Sequence, residues 1–317
     1  MLNMYRTDIE LNKTKQVKTF EKGTWINMVA PTENEIKLVC ENLKIQEGFI
    51  RDSLDFEERA RIDYEEDDNT TLFIVDVPIM EIENKNQVRT TMPIGMIVVR
   101  DDFFITVSLK ENRIITELEK DALKNSIITY KKTRMILQIF YKNAEIYLYE
   151  LKNLDKDKDR AEKELNTSLK NKELLKMLEL EKSLVYFTTS LKSNEVVMEK
   201  TLRGKIIKLY DEDEDILEDA IIENKQAIEM AKIYSDILSG TMDAYASIIS
   251  NNLNIVMKVL TVITIIMSVP TIIGGFWGMN VKVPLESTPF GFYIIVGITM
   301  LVTAITYIVF KKRNLLS

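Results

Sequence analysis

The sequence predicts an α/β N-terminal domain, then a very long stalk helix that continues into a hairpin of two transmembrane helices. Three observations predict this fold class. Short β-branched segments bounded by Asp and Asn share the first 110 residues with a helical segment. No proline occurs between Pro93 and Pro270. The two longest runs without a charged residue both lie after Lys258.

The α/β domain is predicted from its strand candidates and one helix. Thr32 precedes the helical residues 36–43 and Glu35 follows it by three positions, which is the spacing of a capping box. The segments with strand character are residues 25–28, 61–64, 71–77, 88–99 and 103–108.

From about Ile114 onward the pattern is helical. Residues 130–200 are rich in Lys, Glu and Leu and predict a long helical hairpin. Residues 212–277 predict one helix of about 60 residues, which at 1.5 Å per residue would be roughly 90 Å long. A helix of that length is a stalk rather than part of a globular core.

Residues 259–277 and 290–310 contain no charged residue and are long enough to cross the hydrocarbon core of a bilayer. The alternative, a pair of buried core helices, is disfavoured because such uncharged runs are rare in soluble folds. Lys258 precedes the first span and residues 311–313 are all basic, whereas the connecting loop contains Lys282 and Glu286. Basic residues gather on the cytoplasmic side, so both termini are predicted to be cytoplasmic in a multi-pass protein of the cell membrane.

The predicted organisation therefore has seven parts. They are a cytoplasmic α/β domain at 1–110, a cytoplasmic helical hairpin at 111–211, a stalk helix at 212–257, a first transmembrane helix at 258–280, an external loop at 281–289, a second transmembrane helix at 290–310 and a basic cytoplasmic tail at 311–317.

Composition excludes several classes of function. The chain has no histidine, which excludes His-based catalysis and His-metal sites, and its one cysteine excludes an internal disulfide. No phosphate-binding glycine loop or nucleophile elbow is present, so we do not expect an enzyme. The net charge of −7 disfavours nucleic acid as a partner and suits attraction for cations. The first ten residues show no signal-peptide apolar region.

The first span carries a stripe of polar and small residues at steps of three and four, which covers an arc of roughly 120°. Hydroxyls facing lipid would be costly, so this stripe must meet protein or water. Packing of helices through small residues is one interpretation. The other is a water-lined pore, which requires several copies of the chain. The stripe consists of Asn254, Met257, Thr261, Thr264, Ser268, Thr271, Gly275 and Gly278.

The tripeptide Gly278-Met279-Asn280 lies at the outer end of the first of two C-terminal spans and follows a long helix that changes from acidic to apolar. In this it resembles the CorA family of magnesium transporters. Residues 254–261 also look like that family's entry to the pore. The resemblance implies a funnel-shaped homopentamer in membrane lipid, a pore lined by the first span, and metal sites between neighbouring cytoplasmic domains. The motif follows Phe276-Trp277 where a tyrosine is common in the family.

Magnesium is the ion that Met279 favours, since a related zinc-transporting branch usually has isoleucine in that position. Gly278 would let the helix end, and Asn280 would offer a neutral amide oxygen to the water bound around the ion. A simple C-terminal cap is the alternative role for Asn280. Met257 and Leu260 would form a hydrophobic narrowing below the wet stretch, and Asp243 an acidic ring lower on the same stripe.

Residues 211–219 contain the densest acidic run. A solvated helix face is one interpretation of it. The other is a divalent metal site between subunits that includes Asp213 and Asp219. By resemblance Asp219 matches a cytoplasmic sensor carboxylate, so Mg²⁺ would be both transported and regulatory. Two alternatives stay open: transport of zinc, cobalt or nickel, and a membrane-anchored scaffold that transports nothing.

Overall fold

The computed structural model describes residues 1–11, 13–83, 86–124, 127–167, 171–203, 206–285 and 288–313. The chain forms two compact units, Met1–Gly240 and Thr241–Ser317. Glu286 of the predicted loop and the end of the predicted basic tail, residues 314–317, lie outside the described residues.

The first unit contains a seven-stranded sheet in the order β2-β1-β3-β7-β6-β5-β4. Neighbouring strands in it run antiparallel except for the parallel pair β3–β7. The sequence did not predict β1 and β2, which extend the sheet beyond β3. The strands are β1 Leu2–Asp8, β2 Lys13–Gln16, β3 Thr24–Val29, β4 Arg61–Glu65, β5 Thr70–Glu83, β6 Asn86–Val99 and β7 Phe103–Ser108.

The helices confirm the predicted change from α/β to all-helical structure. Helix α1 begins after Thr32, and the capping box with Glu35 is formed. The short helix α2 was not predicted. The helices are α1 Glu33–Leu43, α2 Glu47–Asp52, α3 Arg113–Leu123, α4 Lys132–Thr167, α5 Asn171–Arg203, α6 Asp211–Trp277 and α7 Gly291–Lys312.

Each face of the sheet carries its own apolar core. Trp25 and Phe73 belong to the core that also contains residues of α3, α4, α5 and the start of α6. Ile26 and Leu72, their neighbours in sequence, belong to the core under α1 and α2. This alternation follows from the two-residue period of a strand. The helical hairpin predicted at 111–211 therefore packs on the α/β part within one compact unit.

The second unit contains the end of α6, the turn after it and α7. Both helices are long and apolar enough to cross a membrane, with mean hydropathies of 2.1 and 2.2 over their most apolar windows. Only 6% and 0% of those windows are buried within the chain. Helix α6 continues through Pro270, although proline cannot donate a bond to the carbonyl of Ile266. The exposed apolar faces need lipid or further protein around them.

Candidate functional site

The polar stripe of α6 is accessible in the single chain. Asn254, Thr261, Thr264, Thr271 and Gly275 are exposed, and Ser268 is partly exposed. The residues of α6 that are most covered in this region, such as Val262 at 3% exposure, lie on the opposite side of the helix. These members of the stripe therefore do not pack within the chain.

The hydroxyls of the stripe all donate to their own helix. Thr261 donates to the Met257 carbonyl at 2.8 Å, Thr264 to Leu260 at 2.9 Å, Ser268 to Thr264 at 2.8 Å and Thr271 to Met267 at 3.1 Å. A hydroxyl that has given its proton to the backbone can offer only oxygen lone pairs to its other side. The stripe therefore presents a row of acceptors, which suits the hydrogens of water bound to a cation.

Helix α7 lies along a different face of α6. A cleft of about 900 Å³ separates the two helices. It is lined on the α7 side by residues that include Thr299 and Thr303, and on the α6 side by Ile266, Pro270, Gly274, Trp277 and Gly278. None of the stripe hydroxyls lines this cleft. Packing of helices through the small residues of the stripe and a water-lined pore both stay predictions.

The end of α6 places Asn280 at the apex of a tight turn. The amide of Gly278 still bonds to the Gly274 carbonyl at 2.9 Å, and the amide of Val281 bonds to the Met279 carbonyl at 2.8 Å. The last carbonyls of the helix have no helical partners and carry a partial negative charge. Among the described residues, none forms a hydrogen bond with the Asn280 side chain, which is exposed. Both roles of Asn280, as an ion-binding amide and as a C-terminal cap, stay predictions.

The turn after the motif is fixed by Gly291, the first residue of α7. A Cβ on Gly291 would overlap the Leu285 carbonyl oxygen and lie 3.2 Å from the Trp277 ring. The Leu285 carbonyl also accepts from the Thr288 amide at 3.1 Å and the Thr288 hydroxyl at 2.6 Å. Glycine is required here because the backbone of the turn and the ring that precedes the motif both approach it closely.

The predicted narrowing and acidic ring are also on exposed faces of α6. Met257 and Leu260 are 53% and 55% exposed, like most large apolar residues of this part of α6. Asp243 is exposed, and its backbone carbonyl accepts from the Ser247 hydroxyl at 3.0 Å. All three side chains are thus available to meet other copies of the chain.

Asp219 is exposed in the first unit and belongs to a group of acids around Tyr141. The pKa of Tyr141 is raised, first by the charge of Glu145, then by desolvation, and then by the charges of Glu223 and Asp219. Within the described part of the chain, no ion pair involves Glu145, Asp219 or Glu223. These three carboxylates therefore have no ion-pair partner among the described residues.

Asp213 does not belong to this group. It is buried, at 6% exposure, and its carboxylate lies 3.4 Å from the Arg134 guanidinium. Arg134 is shared with Glu212, at 3.0 Å, and Asp213 as a metal ligand stays a prediction. Acidic spacing along the sequence could not show this, because Arg134 comes from α4.

Within the described residues, no group of three or more Asp, Glu or Cys side chains is close enough to hold a metal ion. The sequence had not singled out Glu145 and Glu223. Glu145 could have been found only by knowing which face of α4 packs against α6, and that packing depends on the fold.

Comparison with known proteins bears on the family and the fold of the chain. The family profile described as "CorA-like Mg2+ transporter protein" matches residues 20–312. The cobalt/magnesium transport protein CorA of Methanocaldococcus jannaschii is 27% identical over 300 residues, which cover 92% of this chain and 90% of that protein. Its namesake from Thermotoga maritima is 32% identical over 146 residues, 42% of either chain.

The solved structures include the complete CorA magnesium transporter from Methanocaldococcus jannaschii, which has a TM-score of 0.84 and 25% identity. The similarity covers 98% of this chain and 97% of that one. The ZntB cytoplasmic domain from Vibrio parahaemolyticus has a TM-score of 0.60 at 11% identity, which indicates a shared fold only.

Proposed function

The chain belongs to the family of CorA-like Mg²⁺ transporters, and on that premise we propose that it conducts Mg²⁺ through a pore lined by α6. Members of this family are membrane transporters of divalent cations rather than enzymes. The observation that supports the pore most directly is the exposed row of hydroxyl acceptors ending at the free amide of Asn280.

The proposed pore is built by five copies of the chain. One hairpin cannot enclose water, and the stripe is exposed in the single chain, so the pore must form between copies. The number five comes from the family resemblance. A scaffold that transports nothing is disfavoured, because it gives no reason for acceptors to face away from α7.

The proposed filter is a ring of Asn280 amides at the ends of the α6 helices. Mg²⁺ holds its water tightly, so a ring of neutral acceptors can bind the hydrated ion without removing its water. The partial negative charge at each helix end adds to the attraction. Neutral oxygens also let the ion leave. Met257 and Leu260 form the hydrophobic constriction that closes the pore by excluding water.

Gating in this proposal depends on cytoplasmic Mg²⁺ bound between subunits at Asp219, with Asp243 as an acidic ring on the pore axis. The acids around Tyr141 repel one another, and a bound divalent cation relieves that repulsion in the closed ring. Loss of the ion then favours opening. Asp219 and Met257 belong to one helix, α6, which connects the sensor to the constriction.

The proposed orientation places both termini in the cytoplasm, because Lys311, Lys312 and Arg313 follow the second span. The proposed cargo includes cobalt as a second ion, since two relatives are described as cobalt/magnesium transport proteins.

Purified protein in liposomes is expected to take up Mg²⁺ and Co²⁺ down their gradients, since the pore is passive and its acceptors are neutral. The measurement is fluorescence of an ion indicator trapped inside, with Zn²⁺ as the comparison ion. Native mass spectrometry of the same preparation should give a five-fold species. Flux by a preparation that is monomeric or dimeric would contradict the pore between copies.

Magnesium at millimolar concentration is expected to protect the wild-type protein from limited proteolysis, because the ion stabilises the state that binds it by about RT ln(1 + [L]/Kd) per site. Asp219→Lys should be less dependent on magnesium, since a fixed positive charge replaces the ion. Glu218→Lys is the matched control, because Glu218 is exposed on the same helix but is not among the acids that act on Tyr141. If magnesium protected wild type and Asp219→Lys equally, Asp219 would not be a metal ligand, and the acidic run would be interpreted as a solvated helix face.

A further inference from the structure

The first unit contains a cavity of about 1210 Å³ that the ion pathway does not use. Its walls are the β4–β5 turn, the β6–β7 turn, the segment before α4 and the segment before α6. The two turns are bonded to each other, since the Arg100 amide donates to the Asn69 carbonyl at 2.9 Å. The cavity is large enough for a small organic ligand.

The cavity is lined by cations in a chain whose net charge is −7. Lys132 is paired with Asp101 at 3.3 Å, and Arg134 with Glu212 at 3.0 Å and Asp213 at 3.4 Å. These pairs account for all three carboxylates of the lining. The remaining cations are Lys131 and Lys208, and neither forms an ion pair with any residue that the structure describes. Four cations and three carboxylates leave the lining with one net positive charge, and the two lysines outside the ion pairs are available to an anion.

Aromatic rings stand beside these lysines. Tyr64 and Tyr210 are 54% and 60% exposed, and Tyr130 also lines the cavity. The Lys208 ammonium lies 5.1 Å from the centre of the Tyr210 ring. Exposed tyrosines at the edge of a cationic cavity are suited to stack a flat ring while the lysines bind its charged substituents.

We propose that this cavity binds a nucleotide, with its phosphates at Lys131 and Lys208 and its base stacked on Tyr210. Inorganic phosphate alone would satisfy the lysines but would leave the tyrosines without a role. An uncharged aromatic ligand would leave the lysines without a role. Tyr210 directly precedes α6, the helix that ends at the Gly278 motif, so an occupant would contact the start of that helix. The proposal goes beyond ion transport and does not depend on it.

The test measures binding of ATP to the full-length protein in detergent by isothermal titration calorimetry, with EDTA present so that metal sites do not contribute. Wild type should bind ATP saturably. Lys208→Glu and Lys131→Glu should each weaken binding about tenfold or more, because each removes a hydrogen bond to a charged group and adds repulsion. Lys182→Glu is the matched control, since Lys182 also lies over a tyrosine, Tyr186 at 5.7 Å, but outside the cavity.

Binding of inorganic triphosphate tests the phosphate contacts alone, and binding of adenosine tests the contacts of the base alone. Tyr210→Ala should weaken ATP binding by about fivefold or more, from the loss of stacking, and leave triphosphate binding unchanged. The proposal is overturned if ATP does not bind saturably up to several millimolar. It is also overturned if Lys182→Glu weakens binding as much as Lys208→Glu, or if triphosphate binds as tightly as ATP and Tyr210→Ala affects neither. Native mass spectrometry and thermal unfolding of each variant confirm that it is folded.

Discussion

Replacing Asn280 with alanine is expected to abolish Mg²⁺ uptake while leaving the protein folded. Each amide in the proposed ring accepts hydrogen bonds from the water around the ion, and one such bond contributes about 0.5–1.5 kcal/mol. Loss of five of them together should lower flux by about 100-fold or more. The fold should be unaffected, because the Asn280 side chain is exposed and bonds to none of the described residues.

The measurement compares ion flux through liposomes containing wild type, Asn280→Ala and a matched control, Asn252→Ala. Asn252 is also an exposed asparagine of α6, but it lies off the polar stripe. Native mass spectrometry should show the same assembly for all three proteins. Wild-type flux in Asn280→Ala would show that the motif has no part in binding the ion, and equal loss in Asn252→Ala would show that the effect is not specific to the filter.

Much of the fold could be predicted because local signals and global structure agree. The capping box of Thr32 and Glu35 fixed the start of α1, and the absence of proline allowed α6 to run unbroken to Pro270. Strand β1 was not predicted because the polar and charged residues around Met4 hide the alternation of apolar and polar residues that identifies a strand. Its place in the sheet depends on pairing with β3, which is a contact between distant parts of the chain.

The candidate site, like the fold, could be predicted only where the signal is local in the sequence. The stripe of α6 has a period, so its residues share a face whatever the rest of the chain does. Two features that depend on the fold were not predictable. Asp213 is paired with Arg134 from α4, and the acids that surround Tyr141 come from α4 and α6. The pairing of a carboxylate is decided by side chains that are distant in sequence, so a run of acids does not show which of its members are free.

Asp76 could not be singled out from the sequence either, because nothing local distinguishes it from other acids. The fold places it in a polar network beneath α4 and α5. Its backbone carbonyl accepts from Asn143 at 2.8 Å and Asn194 at 2.7 Å, and from the hydroxyl of the buried Tyr147 at 3.2 Å. Burial raises the pKa of the Asp76 carboxyl from 3.8 to about 6, against a hydrogen bond from Ser190 that lowers it. One pKa unit corresponds to about 1.4 kcal/mol, so ionising this carboxyl costs the fold roughly 3 kcal/mol.

Because the folded pKa lies above the unfolded one, the folded state holds its proton longer as the pH rises. The contribution of the protonated carboxyl is full below pH 3.8 and is lost as the pH rises to about 6. Asp76→Asn cannot ionise, so it should gain stability relative to wild type by about 1–3 kcal/mol between pH 4.5 and pH 7.5. The corresponding change in apparent unfolding temperature is about 2–10 °C.

The measurement is thermal unfolding of the full-length protein in detergent at both pH values, taken as the difference between variant and wild type. That difference cancels the pH dependence of every other group. Its change between the two pH values also cancels any constant effect of placing an amide beside Ser190. Asp67→Asn is the control, since Asp67 is exposed in the β4–β5 turn. It should show no pH-dependent difference. A difference for Asp76→Asn that stays constant from pH 4.5 to 7.5 would mean that Asp76 remains ionised throughout, and that the network around Tyr147 stabilises its charge rather than resisting it.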